Sequence, residues 1–383
     1  MKNAIYLFLF IWSQPIINPF YLNAQENLNA QENIKIGIVY ANSGLAVQDN
    51  LAYIQTAEMV INNLNHNGGV LNKPIKLIKY DNKSTAYGSK IAAEKAIKDQ
   101  VVAMIGAVWS SHSLAMAPIL QKSKIPMITP NATHPAVTKI GNYIFRVCYS
   151  DAFQGKVIAH FAYTDLHAKN ACIVKNINEE YSIMLARYIS DSFIESGGTI
   201  VEEFKYLSGC INFTSILENI KKTSPSIIFL PGYEQDCALF IKQARDMGIK
   251  SICIGGDGWS DNMYKYGGNI IENNYYSTIW HPNASFVHPC PIVKQYIDKY
   301  GPAGRLNTII PLTYDAIMVL IDAIQRSGNL NTVSIRNAIA QTQNFSGCTG
   351  TLSFDQFGDL IDNKAVILQF KEDTSIFIKN VTL

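Results

Sequence analysis

The segment "IKIGIVYANSGLAVQDN" (residues 34–50) decides the fold, because it joins an apolar strand to a polar loop and the start of a helix. The run from Ile36 to Tyr40 is short and apolar, which is typical of a buried strand. Apolar residues then recur at helical spacing from Leu51 to Leu64, and two glycines at 68 and 69 end the pattern. The segment therefore predicts a strand followed by a helix.

The same alternation continues along the chain. Strand patterns follow at 75–80, 101–105 and 126–129, and helical patterns separate them. A similar set runs from 171 to 254, where glycines at 197 and 198 end a helix as those at 68 and 69 do. Strands that alternate with helices form parallel sheets. We therefore predict an α/β protein with two similar lobes, each built on a doubly wound parallel sheet.

The remainder of the chain is too short for a third domain. It offers a strand near Tyr276, a helix from Tyr314 to Arg326 and a terminal strand region. Between the first two lies a predicted loop with four prolines: Pro282, Pro289, Pro291 and Pro302. These pieces are expected to complete the two lobes, so the chain is predicted to cross between them more than once.

Composition narrows the class of protein. With 383 residues, of which 48% are hydrophobic, the chain is long enough and apolar enough for two ordinary cores. The 32 basic and 30 acidic residues leave a net charge of only +2 and no block of like charge, which argues against a nucleic-acid partner. No nucleophile elbow, zinc-protease motif, phosphate loop or dinucleotide fingerprint occurs. We therefore predict a protein that is not an enzyme and needs no cofactor.

The first residues have the pattern of a secretory signal. Lys2 precedes an apolar stretch from Ile5 to Trp12, and a small-residue site ends at Ala24. This stretch is far shorter than the roughly 20 residues of a membrane-spanning helix. We predict a signal peptide at 1–24, with cleavage after Ala30 as the alternative because "NAQEN" is repeated. No cysteine precedes Cys148, so a lipid-modified N-terminal cysteine is not expected, and the predicted location is the periplasm.

Six of the seven cysteines fall into two groups. Those in apolar, strand-like stretches are expected to pack as small hydrophobic residues: Cys148, Cys172 and Cys253. Those in turn-rich segments can pair with one another: Cys210, Cys290 and Cys348. We prefer a bond between Cys290 and Cys348, although connectivity does not follow from sequence. No pair of histidines and cysteines has a recognised zinc spacing, so no metal site is predicted.

Four polar side chains follow predicted strands. Ser110 and Thr133 come after strands of the first half, whereas Tyr233 and Asp257 come after strands of the second half. The carboxyl ends of parallel strands meet at one edge of a sheet, where doubly wound proteins bind small molecules. Two such residues in each lobe indicate a ligand held between the lobes.

Eight segments in order carry a resemblance to a known family: "SGLAVQ", "INNLNHNGGV", "KYDNKS", "IGAVWSS", "IPMITPNATHPAVT", "FRVCYSDAFQG", "GGDGW" and "GTLSFDQFGD". Over nearly the whole mature chain, the sequence resembles the type I periplasmic solute-binding proteins, the family of the leucine/isoleucine/valine-binding protein. The resemblance implies a clamshell of two lobes joined by a three-strand hinge. It also implies that a ligand enclosed between the lobes is handed to an ABC importer in the membrane.

On this basis we expect the first part of lobe 1 at 34–148 and lobe 2 at 149–277. The chain should return to lobe 1 at 278–350, and 351–383 should contribute mostly to lobe 2 and the hinge. The expected partners are a small-molecule ligand and the membrane subunits of the importer, with no nucleic acid and a monomeric receptor.

The resemblance also implies roles for individual residues. Ser110 and Thr133, with backbone groups near Asn131, match positions that bind the α-carboxylate of an amino acid, a task that suits hydroxyls and helix-start amides. Asp257 matches a position whose acid pairs with the α-ammonium. Each residue has an ordinary alternative: a helix cap for Ser110, a turn before Pro135 for Thr133, and a turn aspartate for Asp257. Asn131 also opens an Asn-Ala-Thr sequon, which we interpret as a chance occurrence.

Aromatic and acidic residues complete the predicted site. Tyr181 and Tyr233 match positions of aromatic walls, although tyrosines often belong partly to the core. Asp49 lies where the branched-chain binders carry a tyrosine, and Trp109 and Ser84 replace a family disulfide. We include Asp49 and Trp109 among the predicted ligand-binding residues.

Two further departures from the family pattern concern the side-chain pocket, because Ile309 replaces a phenylalanine and His112 adds a polar group. Together with Asp49, they put a branched-chain preference in doubt. Asp49 facing the cleft would favour a polar or cationic side chain, whereas a helix cap is the ordinary role of such an aspartate. The predicted ligand is a small amino acid or an amino-acid-like molecule. The alternatives are a small amide, urea or an aromatic acid, and a sensing protein that feeds a separate receptor.

Overall fold

The computed structural model describes residues 33–301 and 306–383. The predicted signal peptide and Pro302 lie outside the described residues. Within the described part of the chain, no helix has the length and the apolar character needed to cross a membrane.

The first sheet has five parallel strands in the order β2-β1-β3-β4-β5. Its strands and the helices that connect them are β1 (Ile34–Tyr40), α1 (Val47–His66), β2 (Ile75–Asp81), α2 (Ala86–Lys98), β3 (Ala103–Ile105), α3 (Ser110–Lys122), β4 (Met127–Thr129), α4 (Ala136–Lys139) and β5 (Ile144–Arg146).

Both faces of the sheet are buried at its inner strands β1, β3 and β4, which explains why these are nearly continuous apolar runs, whereas the edge strand β2 is partly exposed. Ile36 and Ile38 of β1 belong to one hydrophobic cluster, and Val39, which points to the opposite face, belongs to another. Gly37 lies directly against Met104 of the neighbouring strand. A β-carbon at position 37 would come within 2.2 Å of the Met104 sulfur, so any larger residue there would force the Met104 side chain to move.

The second half of the chain builds five more parallel strands in the order β7-β6-β8-β9-β10. The elements are α5 (Asp151–His160), a π-helix (Phe161–Asp165), β6 (Asn170–Asn176), α6 (Glu180–Glu195), β7 (Thr199–Tyr206), α7 (Thr214–Thr223), β8 (Ile227–Phe229), α8 (Glu234–Asp246), β9 (Ile252–Gly255), a 3-10 helix (Asp261–Met263), α9 (Tyr264–Gly267), a second 3-10 helix (Gly268–Ile271) and β10 (Tyr275–Thr278).

The rest of the chain contributes to both lobes. It forms α10 (Pro291–Tyr300), α11 (Ile309–Ser327), α12 (Thr332–Ala340), β11 (Phe345–Gly347), β12 (Gly350–Leu352), β13 (Ala365–Lys371) and β14 (Thr374–Val381). Helix α11 packs against α1 in the first lobe. Strands β13 and β14 extend the second sheet beside β10 in antiparallel fashion.

The two lobes share one topology. In each, the first strand lies between the second and the third, so the strand order reverses beside it. Doubly wound sheets bind ligands at the carboxyl ends of the strands at this switch point. The prediction of an α/β protein with two doubly wound parallel-sheet lobes is confirmed.

The proline-rich segment corrects one prediction. We expected a loop around Pro291, but α10 begins at this residue. Proline is well tolerated at the first position of a helix, because its missing N–H would have no partner there. The cysteine predictions are confirmed, since Cys290 is bonded to Cys348 and the three expected core cysteines are buried: Cys148, Cys172 and Cys253.

The chain passes between the lobes in three places: after β5, after β10 and after β12. Arg146, the last residue of β5, is fully buried and ties the first crossing to the third. Its Nε donates to Asp359 Oδ1 at 2.5 Å, and its backbone N–H donates to the Gly358 carbonyl at 3.0 Å. A second guanidinium nitrogen donates to Thr138 Oγ1 at 2.8 Å. This charge-assisted network fixes the chain where the two lobes meet.

Candidate ligand-binding site

A cavity lies between the two lobes at the carboxyl ends of their strands. About 60 Å³ of it is open to the centres of water molecules, which is the room taken by roughly four to six waters. Seven of the eight residues predicted from sequence line this cavity: Asp49, Trp109, Ser110, Asn131, Tyr181, Tyr233 and Asp257. Both lobes therefore contribute to one enclosed space of about the size of an amino acid.

Thr133 is the eighth predicted residue, and it does not line the cavity. Its side chain is fully buried, and Oγ1 makes no hydrogen bond of good geometry. The hydroxyl lies near Asp151, whose pKa it lowers. The structure thus places Thr133 beside a buried carboxyl next to the site.

Aromatic rings close the cavity between the lobes. The ring of Trp109 in the first lobe stacks on the ring of Tyr233 in the second, with centroids 4.0 Å apart and planes within 5°. Tyr181 stacks behind Tyr233 at 5.4 Å. Ser111 also donates across the cleft to Glu179 Oε2 at 3.0 Å. These contacts join the two lobes, so the structure has the closed form of a clamshell.

Ser110 and Asn131 form one side of the cavity. Ser110 is the first residue of α3, and its Oγ accepts a hydrogen bond from the backbone N–H of His134 at 3.2 Å. The serine does not cap this helix, because Trp109 occupies the cap position. The Ser110 hydroxyl can therefore donate to a ligand, and the free amides of a helix start favour an anion. Asn131 adds a buried Oδ1 atom that has no partner.

Asp257 lies in the loop after β9 in the opposite lobe. Burial raises the pKa of its carboxyl to about 6, although Gln154, Tyr181 and Asn131 lie close enough to lower it. None of these groups makes a hydrogen bond of good geometry to the buried Oδ1 atom. This oxygen therefore lacks a donor among the described residues, and an ammonium group would supply one.

A second carboxyl lies near Asp257, behind the residues that line the cavity. Asp151 is fully buried at the start of α5, and neither of its oxygens has a hydrogen-bond partner. Burial and the charge of Asp257 raise the pKa of Asp151 well above its usual range, and Arg146 offsets only part of this effect. Two neighbouring buried carboxyls disfavour each other's ionised forms, and a cation bound beside them would offset this repulsion.

Another pair of acids lies elsewhere in the same lining. Asp49, in the first turn of α1, accepts a hydrogen bond from Trp109 Nε1 at 2.9 Å and is not the helix cap. Burial, together with the charges of Asp236 and Glu179, raises the pKa of Asp49 to about 7. This aspartate therefore faces the cleft, where the resemblance leads one to expect a tyrosine.

Glu234 is the second member of this pair, and sequence reasoning missed it. Its side chain is only 7% exposed, Ser260 Oγ donates to Oε1, and Oε2 has no partner among residues 33–301 and 306–383. Burial and the charge of Asp49 raise the pKa of Glu234 to about 8. Nothing in the sequence singles out Glu234, because an acid in the first turn of a helix such as α8 is ordinary and favours the helix dipole.

Other lining residues also escaped sequence reasoning. They come from the loop after β9 and from the residues just before α11: Trp259, Ser260, Asn262, Asn307 and Thr308. Their position after a strand or before a helix is the only signal that could have singled them out.

Known proteins resemble this chain over most of its length. The sequence profile of the periplasmic binding protein family matches residues 33–375. The leucine-, isoleucine-, valine-, threonine- and alanine-binding protein of Pseudomonas aeruginosa is 25% identical over 353 residues, which cover 90% of this chain and 92% of that protein. The leucine-specific-binding protein of Salmonella typhimurium is 23% identical and covers similar shares.

Solved structures give the same picture. The leucine-binding protein of Thermotoga maritima has a TM-score of 0.85 and 32% identity, and the match covers 91% of this chain and 99% of that one. The branched-chain amino acid transporter substrate-binding protein of Streptococcus pneumoniae, in complex with isoleucine, has a TM-score of 0.86 and 25% identity. That match covers 92% of this chain and all of the other.

Proposed function

The chain belongs to the periplasmic binding protein family, and on that premise we propose that it is an exported receptor for a small amino acid or amino-acid-like molecule. The receptor encloses this ligand between its lobes and delivers it to an ABC importer. Its site of action is the periplasm.

One observation carries the proposal. Within a single cavity, Asp257, whose buried Oδ1 atom has no partner among the described residues, lies in one lobe, and Ser110, at the start of α3, lies in the other. A zwitterion offers an ammonium to the first and a carboxylate to the second. The ammonium would pair with the carboxyl of Asp257 and so compensate its charge. The carboxylate would accept hydrogen bonds from the Ser110 hydroxyl and from the free backbone amides at the start of α3.

The relatives support this class of ligand. The name of the Pseudomonas relative gives five amino acids as its ligands, and the Streptococcus structure holds isoleucine. A ligand that touches both lobes binds the closed form better than the open form, so it shifts the population towards closure. The closed shape is then the signal that an importer reads.

Thermal unfolding tests the proposal. The chain without residues 1–24 should be heated with a panel of amino acids, small amides, urea and aromatic acids, because a ligand that binds only the folded state raises the melting temperature. A ligand at 100 times its Kd should stabilise the protein by about 2.7 kcal/mol. We expect at least one α-amino acid to raise the melting temperature, and this increase should be lost in Asp257→Ala.

The control is Glu195→Gln, which changes an exposed acid at the end of α6. This variant should respond to the same ligands as the unaltered protein. If no α-amino acid shifts the melting temperature, the ligand class is wrong. If the shift survives in Asp257→Ala, this residue does not hold the ammonium.

A further inference from the structure

Four residues separate the ligand cavity from a smaller pocket of about 30 Å³ that adjoins it: Asp49, Trp109, Tyr233 and Glu234. Asp257 lines only the ligand cavity, and Asp236 lines only the adjoining pocket. The acid pair Asp49 and Glu234 therefore lies at a different part of the cavity wall from Asp257.

The acid pair has little compensating positive charge. Among the described residues, neither the cavity nor the adjoining pocket is lined by a lysine or an arginine. Lys265 lowers the pKa of Glu234 only as a minor effect, and its own side chain is exposed. His112 stacks on Trp109 at 5.3 Å, but burial lowers its pKa to about 4 and leaves it neutral at pH 7.

Further acids surround the pair. Asp236 and Glu179 both raise the pKa of Asp49. Glu179 has its own partner in Ser111. By contrast, Glu234 keeps one oxygen buried, unpartnered and at the cavity wall. That oxygen distinguishes the pair from an ordinary cluster of surface acids, because a buried acceptor without a donor is costly unless a ligand supplies the donor.

We infer that the side chain of the bound amino acid ends in a cation, an amine or a guanidinium, and that Asp49 and Glu234 receive it. This inference rests on the proposed function, since Asp257 must hold the α-ammonium for the side chain to reach the pair. Trp109 fixes the Asp49 carboxyl by its indole N–H, and Ser260 fixes the Glu234 carboxyl by its hydroxyl. One oxygen of Glu234 stays available to the ligand.

An apolar side chain fits this wall poorly. It would displace water from both carboxyls without supplying a donor, so Glu234 Oε2 would remain unsatisfied in the closed protein. A branched-chain ligand therefore loses affinity here, whereas a cationic ligand gains a charge-assisted hydrogen bond to a fixed acceptor.

Calorimetric titration at pH 8 tests the inference with lysine, ornithine, arginine, norleucine and glutamine. Norleucine has the carbon chain of lysine without the terminal amine, so the comparison of these two ligands isolates the effect of the terminal charge. We expect at least one of the three cationic amino acids to bind roughly 30-fold or more tightly than norleucine. Glu234→Gln should weaken that ligand by a similar factor and leave norleucine unchanged or improved.

Asp49→Asn provides a second variant with the same expected pattern, should Glu234→Gln fail to fold. Glu195→Gln again serves as the control, because it removes one acid far from the wall of the cavity. The inference is overturned if norleucine or glutamine binds as tightly as every cationic amino acid, and the proposed function then still stands. If no α-amino acid binds, both fail.

Discussion

Replacing Asp257 by asparagine should make the empty protein more stable while it weakens ligand binding. Burial raises the pKa of this carboxyl from 3.8 to about 6, so folding favours its protonated form. The stability that this preference contributes is fully present below about pH 4 and is lost as the pH rises to about 6. At 1.36 kcal/mol per pKa unit, the ionised carboxylate costs the empty protein up to about 3 kcal/mol at pH 8.

An asparagine at this position is neutral at every pH. At pH 8, the free energy of unfolding without ligand should therefore rise by as much as about 3 kcal/mol, and at pH 4 it should hardly change. Ligand binding should change in the opposite direction. The α-ammonium would be buried without its counter-charge, which costs roughly 3–5 kcal/mol.

Two measurements test the expected gain in stability and the expected loss of ligand affinity. Urea unfolding at pH 4 and pH 8 gives the stability of protein that has been freed of ligand by unfolding and refolding. Calorimetry at pH 8 gives the affinity for the amino acid that raises the melting temperature most. Glu195→Gln is the matched control. A variant that is less stable than the unaltered protein at pH 8, or that binds the ligand as well, would refute the reasoning, because Asp257 would then be a structural turn residue.

Three other outcomes follow from the structure. Arg146→Met should lower the free energy of unfolding by about 2–3 kcal/mol in urea, because it leaves Asp359 and two buried backbone carbonyls without their guanidinium donor; a loss under 1 kcal/mol would contradict this. Changing Cys290 and Cys348 to serine together should cost up to about 4 kcal/mol, since the bond closes a loop between residues 58 positions apart. The protein with its Cys290–Cys348 bond reduced and the double serine variant should then unfold at the same urea concentration. A difference between them would argue that loop closure is not the cause of the lost stability. Trp109→Ala should weaken ligand binding by about tenfold or less, which is the contribution of one ring stack. It should also raise the fraction of open molecules, which X-ray scattering detects as a larger radius of gyration. An unchanged affinity and radius of gyration would show that the stack does not favour closure.

Much of the fold could be predicted because its signals are local. The apolar run of β1 and the helical spacing of α1 are properties of neighbouring residues, and the structure reproduces both. The segment at Pro291 was misjudged for a local reason as well. Proline marks loops and helix starts alike, and only the apolar face of Ile292, Val293 and Tyr296 packing into the protein distinguishes the two.

The candidate site was predictable in part. Ser110, Tyr233 and Asp257 could be found because the carboxyl end of a parallel strand is recognisable from the sequence. Glu234 directly follows Tyr233, yet it attracted no attention. Its unusual state depends on burial and on Asp49, which belongs to the other lobe.

The sequence by itself therefore determined the two-lobed α/β architecture, the strand ends that meet in the cleft and the family. Those features rest on hydrophobic periodicity and on residue types at fixed positions along the chain. Only the tertiary structure decided that Trp109 closes on Tyr233, that Thr133 lies behind the lining, and that Asp49 and Glu234 share one wall. The reason is that burial removes water from groups far apart in sequence, and the energy of a carboxyl depends on what replaces that water.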